Sequence, residues 1–545
     1  MAEISRPNIL ILHADQQRFD TINALGHGHV HSPNLDRLVR GGRAYTRAYS
    51  SCPVSMPARH DLLTGASARH HGYYTNSNAF IQDHGLATMP RLLTEAGYQT
   101  IAVGKMHHNP PREHHGYAHM YSMEELPSCR EDDAYLQYLE SVGYGHIRCQ
   151  HGVRPLFYHT PQPARVPEEH HGSAWVAHKT IEVLQEERDR PWLIISSWVG
   201  PHPPYYVPQK YLDMYRDAEL PPPCPIPPGG EKNFAVSPEN PEPTGIRMQR
   251  MREAYFAACT LIDTHIGRVL DALEETGQLE NTLIFFTSDH GEMLGDHGGY
   301  QKHTPHEGSA HIPFLVHGPG FAAGTRSEMP VNTWDVTATI LEATGVSVPE
   351  DHPLAGCSLL GESDFPSNRI VCFHHGRGRG RYVAAVGRRH KFVHYHNGGE
   401  ETLHDLAADP EEQCNLLAGG TTTPEIESLV TALRAKAIAF ESEFGMPEMV
   451  SDGSFVDLPH APLAAHQCSL YPPWSSRQYP PWPNGYSPDD LESITNEMRD
   501  CLNSDVAYVC HEPEWRENAL QIWEGMGGAR QTLLDIFASA DSKAK

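Results

Sequence analysis

The sequence predicts an α/β protein with a large, mostly parallel sheet flanked by helices. Four short apolar runs have the continuous hydrophobicity of strands that are buried on both faces of such a sheet. Helical patterns alternate with these runs along the chain. Polar clusters directly follow the runs, at the strand ends where α/β sheets place their functional sites.

The predicted elements of this sheet follow in chain order. Strands are predicted over residues 8–14, 98–103, 191–198 and 282–286. Residues 89–97, MPRLLTEAG, form an amphipathic pattern that ends at a glycine and predicts a helix.

The longest helix is predicted over residues 247–277, where apolar residues recur at three- and four-residue steps and give one apolar face. These residues are Tyr255, Cys259, Ile262, Ile266, Val269 and Leu273. The proline-rich stretch 221–228, PPPCPIPP, is predicted to be an exposed loop.

The chain is predicted to have three parts. These are a main domain over 1–365, a smaller α+β domain with an antiparallel sheet over 366–450, and a C-terminal extension over 451–545. In the smaller domain, apolar positions alternate over residues 381–396, which predicts a hairpin. Residues 403–416 predict a strand and a turn that lead to a helix.

The C-terminal extension begins with an arm rich in proline and aromatic residues. It contains YPPW at 471–474 and YPPWP at 479–483. Its large aromatic side chains predict that the arm docks on the body or on a neighbouring subunit. Helical segments are predicted beyond it, over 487–502 and 513–538.

Composition argues against several classes of protein. The formal net charge of −26 disfavours broad binding to nucleic acid. The eleven cysteines show no CxxC spacing, which argues against a disulfide framework or a zinc ribbon. No stretch approaches the roughly 20 apolar residues of a membrane helix, and the first residues lack the basic region of a signal peptide. We therefore expect a cytoplasmic protein that has no membrane partner.

Acidic and imidazole side chains follow two of the predicted strands. Asp15 comes directly after the first strand, and Asp289 and His290 follow the last one. Taken alone, Asp289 and His290 fit a helix cap with a surface histidine. Together with Asp15 they would converge on a hard divalent cation, to which Gln16 can add a carbonyl oxygen.

Basic side chains lie at other strand ends. Lys105 and His107 follow the strand at 98–103, and His202 and Lys302 occupy similar loops. A single lysine is usually a solvated charge, and a single histidine usually has a structural role. Four such groups beside a metal would instead clamp an anion, neutralise an oxyanion ester and protonate its leaving group.

In this order and context, the motifs resemble those of the type I sulfatases of the alkaline phosphatase superfamily. The matching stretches are PNILILHADQ, SMPARHDLLTG, GKMHH, PHPP, and TSDHGEMLGDHG with a following lysine. LHDLAADPEEQCNL resembles the C-terminal ending of that family. The resemblance covers roughly residues 6–420, and several motifs in the right order make it specific.

The resemblance implies that Asp15, Gln16, Asp289 and His290 hold a divalent metal, with Ca²⁺ expected and Mn²⁺ as the alternative. Gln16 stands where many sulfatases have a second aspartate. Phosphonate monoester and phosphodiester hydrolases and choline-sulfatase-like members share this departure, which removes one negative charge.

The resemblance also implies roles for the basic residues. Arg59 and Lys105 match the residues that bracket the nucleophile and the metal-side oxygens. His107 matches the histidine that helps the intermediate decay. His202 and Lys302 match the pair at the ester and leaving-group oxygens.

The stretch SSCPVSMPARHDLLTG offers two candidate nucleophiles, Cys52 and Ser55. The family motif is C/S-x-P-x-R, and it fits when Pro57 and Arg59 are counted from Ser55 but not when they are counted from Cys52. Ser55 is therefore the predicted nucleophile, and Cys52 is predicted to be a small packing residue. The alternative role for Ser55 is a helix cap, and a helix that begins there would aim free backbone N–H groups at an anion.

Sulfatases of this kind attack with formylglycine, which is made from cysteine or serine. A serine alkoxide alone would leave an alkyl sulfate that resists hydrolysis. The hydrated aldehyde attacks with one hydroxyl, and loss of the proton from the other expels sulfate. We therefore predict a sulfatase in which a serine-competent maturase oxidises Ser55 to formylglycine.

Two other functions compete with this one. A phosphodiester or phosphonate monoester hydrolase on the same scaffold could use unmodified Ser55, and Gln16 favours it. An inactive binding protein with the same fold would have lost site residues, whereas all the expected positions are filled.

The resemblance also implies a class of substrate and an oligomeric state. The expected substrate is a small-molecule or saccharide sulfate ester, and Asn76, in HGYYTN, matches a substrate-contacting asparagine. Residues 108–180 and the C-terminal extension are predicted to shape the pocket. Related enzymes with C-terminal arms form dimers or tetramers, so a homo-oligomer is expected.

Overall fold

The structure is a computed structural model. It describes residues 6–76, 85–111, 113–127, 130–154, 156–228, 242–361, 365–420, 422–461, 487–502, 504, 509 and 511–543. The predicted YPPW arm at 471–474 and 479–483 lies outside the described residues.

The strands are given first, in chain order. They are β1 (Asn8–Asp15), β2 (Arg43–Tyr45), β3 (Ala48–Tyr49), β4 (Gln99–Gly104), β5 (His119–Ser122), β6 (Gln162–Pro163), β7 (Trp192–Pro201), β8 (Tyr206–Val207), β9 (Thr282–Ser288), β10 (Phe314–His317), β11 (Thr325–Ser327), β12 (Val331–Asn332), β13 (Val371–His375), β14 (Tyr382–Val386), β15 (His390–Tyr395), β16 (Glu400–Asp405), β17 (Val450–Ser451) and β18 (Ser454–Phe455).

The α-helices follow in the same order. They are α1 (Pro33–Gly41), α2 (Ser55–Thr64), α3 (Ala68–His71), α4 (Met89–Glu95), α5 (Ala134–Ser141), α6 (Gly172–Leu184), α7 (Gln209–Tyr215), α8 (Gly245–Glu275), α9 (Glu307–Ala310), α10 (Thr333–Thr344), α11 (Pro424–Phe444), α12 (Pro488–Leu502), α13 (Pro513–Gly525) and α14 (Arg530–Lys543).

The large sheet confirms the predicted α/β class. Its strand order is β11-β2-β10-β9-β1-β7-β4-β5. β1 pairs in parallel with β7 and β9, and β4 pairs in parallel with β7 and β5. Only β10 runs antiparallel to its neighbours, β9 and β2, in this sheet. The sheet is therefore mostly parallel, and its central strands end at a common edge.

Helices cover both faces of this sheet because its side chains alternate between two apolar layers. Leu10 and Leu12 of β1 belong to a buried layer with residues of α1, α6 and α8. Ile9 and Ile11 belong to a second layer with residues of α2, α4 and α10. A strand that is buried on both faces has no side exposed to water, so its side chains are apolar on both faces. This is why these runs are continuously apolar in the sequence.

The smaller antiparallel sheet also has the predicted form. Its order is β13-β14-β15-β16, and each neighbouring pair is antiparallel. α11 packs on one face, where Val430, Leu433 and Ala437 meet Val383 and Phe392 of the sheet. A turn links β16 to α11, as predicted for 403–416.

The C-terminal extension contains three helices where two helical segments were predicted. The segment predicted over 513–538 is interrupted between α13 and α14. Gly527 has a φ of +93°, and a Cβ at Gly528 would lie 1.9 Å from the Trp523 ring. The chain turns there in a way that side chains larger than hydrogen would hinder.

These C-terminal helices pack against the catalytic part of the chain. Cys149, Val153 and Phe157 share a buried apolar cluster with residues of α12, α13 and α14. Phe157 stacks on Trp515 with ring centroids 5.5 Å apart. In the described part of the chain, no helix is both long and apolar enough to cross a membrane.

A buried ion pair between Arg381, the residue before β14, and Glu441 of α11 generates a stability prediction. Arg381 Nε and Nη2 donate to the Glu441 carboxylate at 2.5 and 2.7 Å, and both side chains are fully buried. Glu441→Leu should lower the free energy of unfolding by about 3–5 kcal/mol, because it leaves an unpaired buried guanidinium. Urea unfolding measures this loss.

The matched control is Arg434→Met, which breaks the more exposed pair with Glu401. Its cost should stay below about 1 kcal/mol. The double variant Arg381→Met, Glu441→Leu should be more stable than Glu441→Leu alone. Equal losses for the Glu441 and Arg434 variants would contradict the role of the buried pair.

Candidate active site

The two central strands bring three predicted metal ligands together. β1 and β9 pair with Ala14 opposite Ser288, so Asp15 and Asp289 leave the sheet side by side. His290 follows Asp289, and one ligand atom from each of the three lies within 4.8 Å of the others. All three residues are fully buried.

Arg59 lies between the two carboxylates. Its Nη2 is 3.1 Å from Asp15 Oδ2, and its Nε donates to Asp289 Oδ2 at 2.9 Å. Its Nη1 donates to the Lys105 carbonyl at 2.7 Å and to Ser197 Oγ at 3.0 Å. The guanidinium therefore links the ends of β1 and β9 to the residue after β4 and to Ser197 within β7.

The predicted nucleophile lies against the third ligand. Ser55 is the first residue of α2, whose N-cap position is Val54, and the Ser55 side chain makes no capping bond. Its Oγ is instead 2.9 Å from His290 Nε2. Since His290 Nδ1 lies 2.9 Å from the Gly291 carbonyl, Nδ1 carries the proton and Nε2 accepts from Ser55. The helix N-terminus supports an anion at this place.

The side chains fit a hard divalent cation. Asp15 Oδ1 is buried and has no hydrogen-bond partner among the described residues. Burial alone would raise the pKa of Asp15, but Lys105, His202 and Arg59 outweigh it and hold that pKa well below its usual range. An ionised carboxylate with an unpaired inner oxygen is a ligand that Ca²⁺, Mg²⁺ or Mn²⁺ would accept.

Gln16 lies beside these ligands but is also engaged with other side chains. Its φ is +68°, and its backbone N–H donates to Asp289 Oδ1 at 3.0 Å. Its Oε1 accepts from Lys302 Nζ at 2.6 Å, and its Nε2 donates to Glu292. Gln16 therefore connects the predicted metal ligand Asp289 to Lys302, and its side-chain carbonyl oxygen accepts a hydrogen bond from that ammonium group.

Lys105 and His107 follow β4, as predicted. Lys105 Nζ lies 2.7 Å from Asp15 Oδ2. The His107 backbone has a φ of +52°, and its N–H donates to Glu124 Oε1 at 3.0 Å. Burial, together with the charges of Lys105 and Arg59, lowers the pKa of His107 well below its usual value. The imidazole is therefore neutral and has a lone pair to offer.

His202 follows β7 on the same side as Lys302. Its Nδ1 donates to the Pro203 carbonyl at 2.6 Å, which fixes the tautomer. Burial and the charge of Lys302 lower the pKa of His202 well below its usual value. The imidazole is thus neutral beside an ammonium group.

Asn76 lies at the start of α2. Its Oδ1 accepts from the backbone N–H of Met56 at 3.0 Å. The side chain therefore sits next to Ser55, and its carbonyl oxygen satisfies one of the free donors of α2.

Cys52 has the environment of a packing residue. It is 1% exposed, and its Sγ lies 3.9 Å from His375 Nδ1. Burial raises the pKa of its thiol well above the usual value. A protonated thiol is a poor nucleophile.

Three charged residues of this site were missed by the sequence analysis. Glu292 accepts a hydrogen bond from Gln16. Its position two residues after His290 is the sequence feature that could have identified it as a site residue. Glu125 accepts from Lys105 Nζ at 2.8 Å and pairs with Arg154. Nothing in the local sequence marks Glu125 or Arg154, because only the folded chain brings them to Lys105.

Comparisons with known proteins find related sequences over most of the chain. The chain matches the model of the sulfatase family over residues 7–346, and a model described as N-sulphoglucosamine sulphohydrolase, C-terminal, over 295–439. It is 30% identical over 479 residues to an arylsulfatase of Clostridium perfringens (strain 13 / Type A), covering 82% of this chain and 97% of that protein.

Two solved structures share the fold. The phosphonate monoester hydrolase of Agrobacterium radiobacter has a TM-score of 0.65 and 23% identity, covering 81% of this chain and 96% of that one. A structure in complex with its substrate, D-glucosamine-2-N,6-O-disulfate, has a TM-score of 0.65 and 20% identity, covering 81% of this chain and 98% of that one.

The mostly parallel sheet, with convergent carboxylates at its strand ends and a helix N-terminus facing them, fits a hydrolase of the alkaline phosphatase superfamily, the class to which the matched sulfatase model and a 28% identical relative belong. Within that class the family model covers more than half of the chain. The chain belongs to the sulfatase family, whose members hydrolyse sulfate esters.

The contrast between the two candidate nucleophiles gives a direct prediction. Ser55→Ala should lower kcat on an aryl sulfate by about 10³-fold or more, because it removes the attacking group. Cys52→Ala should keep turnover within about threefold, because the thiol is buried and protonated. Steady-state kinetics on 4-nitrophenyl sulfate measures both, with metal content as a check on folding. A larger loss in the Cys52 variant would reverse the assignment.

Proposed function

We propose that this protein hydrolyses a sulfate ester through a formylglycine derived from Ser55, assisted by a divalent metal held by Asp15, Gln16, Asp289 and His290. Ca²⁺ is the expected metal. The single observation that supports this most is the position of Ser55 Oγ, 2.9 Å from His290 Nε2 at the N-terminus of α2. A residue there faces the predicted metal ligands and the positive end of the helix dipole together.

The maturation step is part of the proposal. Oxidation of the Ser55 hydroxymethyl group to an aldehyde removes two hydrogens, which the maturase passes to its own oxidant. Once formed and hydrated, the group supplies one hydroxyl that attacks sulfur and a second whose deprotonation releases sulfate. The metal would supply positive charge beside the oxygens of the ester.

Arg59 and Lys105 hold this arrangement in place. Each contacts Asp15 Oδ2, at 3.1 and 2.7 Å, and both side chains are buried. In a site from which water is excluded, such fixed cations stabilise negative charge that develops on sulfonyl oxygens. Neither side chain has to reorganise for this, because their carboxylate and carbonyl partners hold them.

Lys302 is the proton source at the leaving oxygen. Its Nζ is bound to Gln16 Oε1 at 2.6 Å, next to the proposed metal ligands. His202 is neutral and its Nδ1 proton is committed to the Pro203 carbonyl, so it orients the ester rather than supplying the proton.

His107 acts in the second half of the reaction. Its imidazole is neutral, and its Nδ1 is buried without a partner among the described residues. It can therefore take the proton from the second hydroxyl of the hydrated aldehyde, after which the C–O bond to sulfate breaks.

A phosphonate monoester or phosphodiester hydrolase is the second candidate. Gln16 replaces a negative charge with an amide, and the phosphonate monoester hydrolase of Agrobacterium radiobacter shares the fold. The experiment compares kcat/KM for 4-nitrophenyl sulfate, phenyl 4-nitrophenylphosphonate and bis-4-nitrophenyl phosphate. We expect the sulfate to be the preferred substrate. Preference for either phosphorus ester would transfer the assignment to the second candidate.

The proposed role of Lys302 predicts a dependence on the leaving group. Lys302→Ala should lower kcat on an alkyl sulfate by about 10²–10⁴-fold, because an alkoxide needs a proton to depart. The loss on 4-nitrophenyl sulfate should be clearly smaller, because 4-nitrophenolate leaves without one. The matched comparison is Lys105→Ala, whose losses should be similar for the two esters. Equal losses for Lys302→Ala on both esters would rule out Lys302 as the acid.

A further inference from the structure

A histidine interrupts the apolar run of β1. His13 lies on the same face of the sheet as Ile9 and Ile11, because side chains alternate along a strand. It is 1% exposed and pairs in register with Ser197 of β7. Ser197 Oγ accepts from Arg59 Nη1 at 3.0 Å, so the imidazole lies beside a residue that holds Arg59.

Two buried imidazoles near Arg59 have unpaired nitrogens. Neither ring nitrogen of His13 has a hydrogen-bond partner among the described residues, and the same holds for His108 Nδ1. Burial lowers the pKa of both imidazoles, that of His13 to about 3 and that of His108 well below its usual value, so both rings are neutral. A neutral imidazole carries one donor and one acceptor. Buried groups of this kind are almost always bonded, either to protein or to an ordered water.

The two histidines line one small cavity together with Arg59. The space open to the centre of a water molecule there is ≈ 10 Å³, close to the roughly 10–15 Å³ that one water needs. The other lining side chains are mostly apolar, and they are Leu62, Leu63, Met89, Met106, Tyr117 and Ile195. The cavity therefore suits about one water, and its nitrogen atoms come from His13, His108 and Arg59.

A metal ion is not the occupant that these groups favour. In the described part of the chain, three ligand atoms within 4.8 Å of one another are found only for Asp15, Asp289 and His290. A bound transition metal needs convergent ligands of that kind. A buried water needs only two to four polar partners at hydrogen-bond distance.

We propose that the cavity holds one buried water, bound by His13 and His108, and that His13 is a positioning residue for Arg59. The water can donate to the acceptor nitrogen of each imidazole, which leaves its lone pairs for the guanidinium. Arg59 is then supported on the cavity side as well as by Asp15 and Asp289. An apolar residue at position 13 would remove this support and leave the guanidinium room to shift toward the cavity.

Such a shift matters because Arg59 and Ser55 belong to the same short helix, α2. A displacement of about 1 Å in a reacting geometry can cost about 100-fold in rate. The kinetic part of this inference rests on the proposed sulfate hydrolysis, whereas the water site does not.

A crystal structure of the purified enzyme, with anomalous data, tests the water site directly. We expect one solvent peak within about 2.7–3.2 Å of a ring nitrogen of His13 and of His108 Nδ1. In His13→Leu, which fills a similar volume without polar atoms, this peak should be absent. A wild-type cavity without a solvent peak, or with an anomalous peak from a metal ion, would overturn the inference.

Kinetics of variants test the positioning role. His13→Leu should lower kcat and kcat/KM for 4-nitrophenyl sulfate together by about 10- to 100-fold, because Arg59 stabilises charge that develops during the reaction. His13→Asn and His13→Gln place an amide near one or the other ring nitrogen, and at least one should keep kcat within about threefold of wild type. If His13→Leu does not fold, His108→Leu takes its place with the same expected result.

The matched control is His265→Leu. His265 of α8 is 2% exposed, and its Nε2 also lacks a partner among the described residues. This variant should leave kcat unchanged, and melting temperatures of all variants show whether a loss of activity follows from unfolding.

Three kinetic results would overturn the positioning role. These are unchanged kcat in the folded leucine variant, a loss of the same size in His265→Leu, and no rescue by either amide. If the wild-type enzyme hydrolyses a phosphorus ester but no sulfate ester, the proposed sulfatase function fails, and the same variants test the positioning role on that phosphorus ester. The crystal structure decides the water site in either case.

Discussion

The site depends on one buried cation, Arg59, held between two carboxylates at the ends of neighbouring parallel strands. Asp15 and Asp289 leave the sheet side by side and are fully buried, so without a cation they would repel each other strongly. Arg59 contacts both, and breaking a buried pair of this kind typically costs about 3–5 kcal/mol. Because Arg59 lies one helical turn after Ser55 on α2, the same contacts fix the position of Ser55, the proposed nucleophile.

Much of the fold and of the central site could be predicted from the sequence, because both follow from local patterns. Apolar runs without alternation specify strands buried on two faces, and the residues after them meet at one sheet edge. The spacing from Ser55 to Pro57 and Arg59 favoured Ser55 over Cys52 as the nucleophile, which stays a prediction, and the Cys52 thiol is buried with a raised pKa.

The other features of the site and fold could not be predicted, because they arise from contacts that form only in the folded chain. Glu125 follows a short edge strand in a polar stretch, where an acidic residue is normally a solvated charge. Its importance arises from contacts with Lys105, Arg154 and His202, which are 20, 29 and 77 positions away. The break between α13 and α14 was missed because it depends on the close approach of Gly528 to the Trp523 ring.

The central claim is that a chemically modified Ser55 is the reacting group of this site. Mass spectrometry of the peptide carrying Ser55, on protein purified from its native host with its aryl sulfatase activity measured in parallel, tests it most directly. The account predicts a peptide lighter than the encoded one by two hydrogen atoms, in a fraction that rises in proportion to activity. Fully active enzyme that carries only unmodified serine would contradict it.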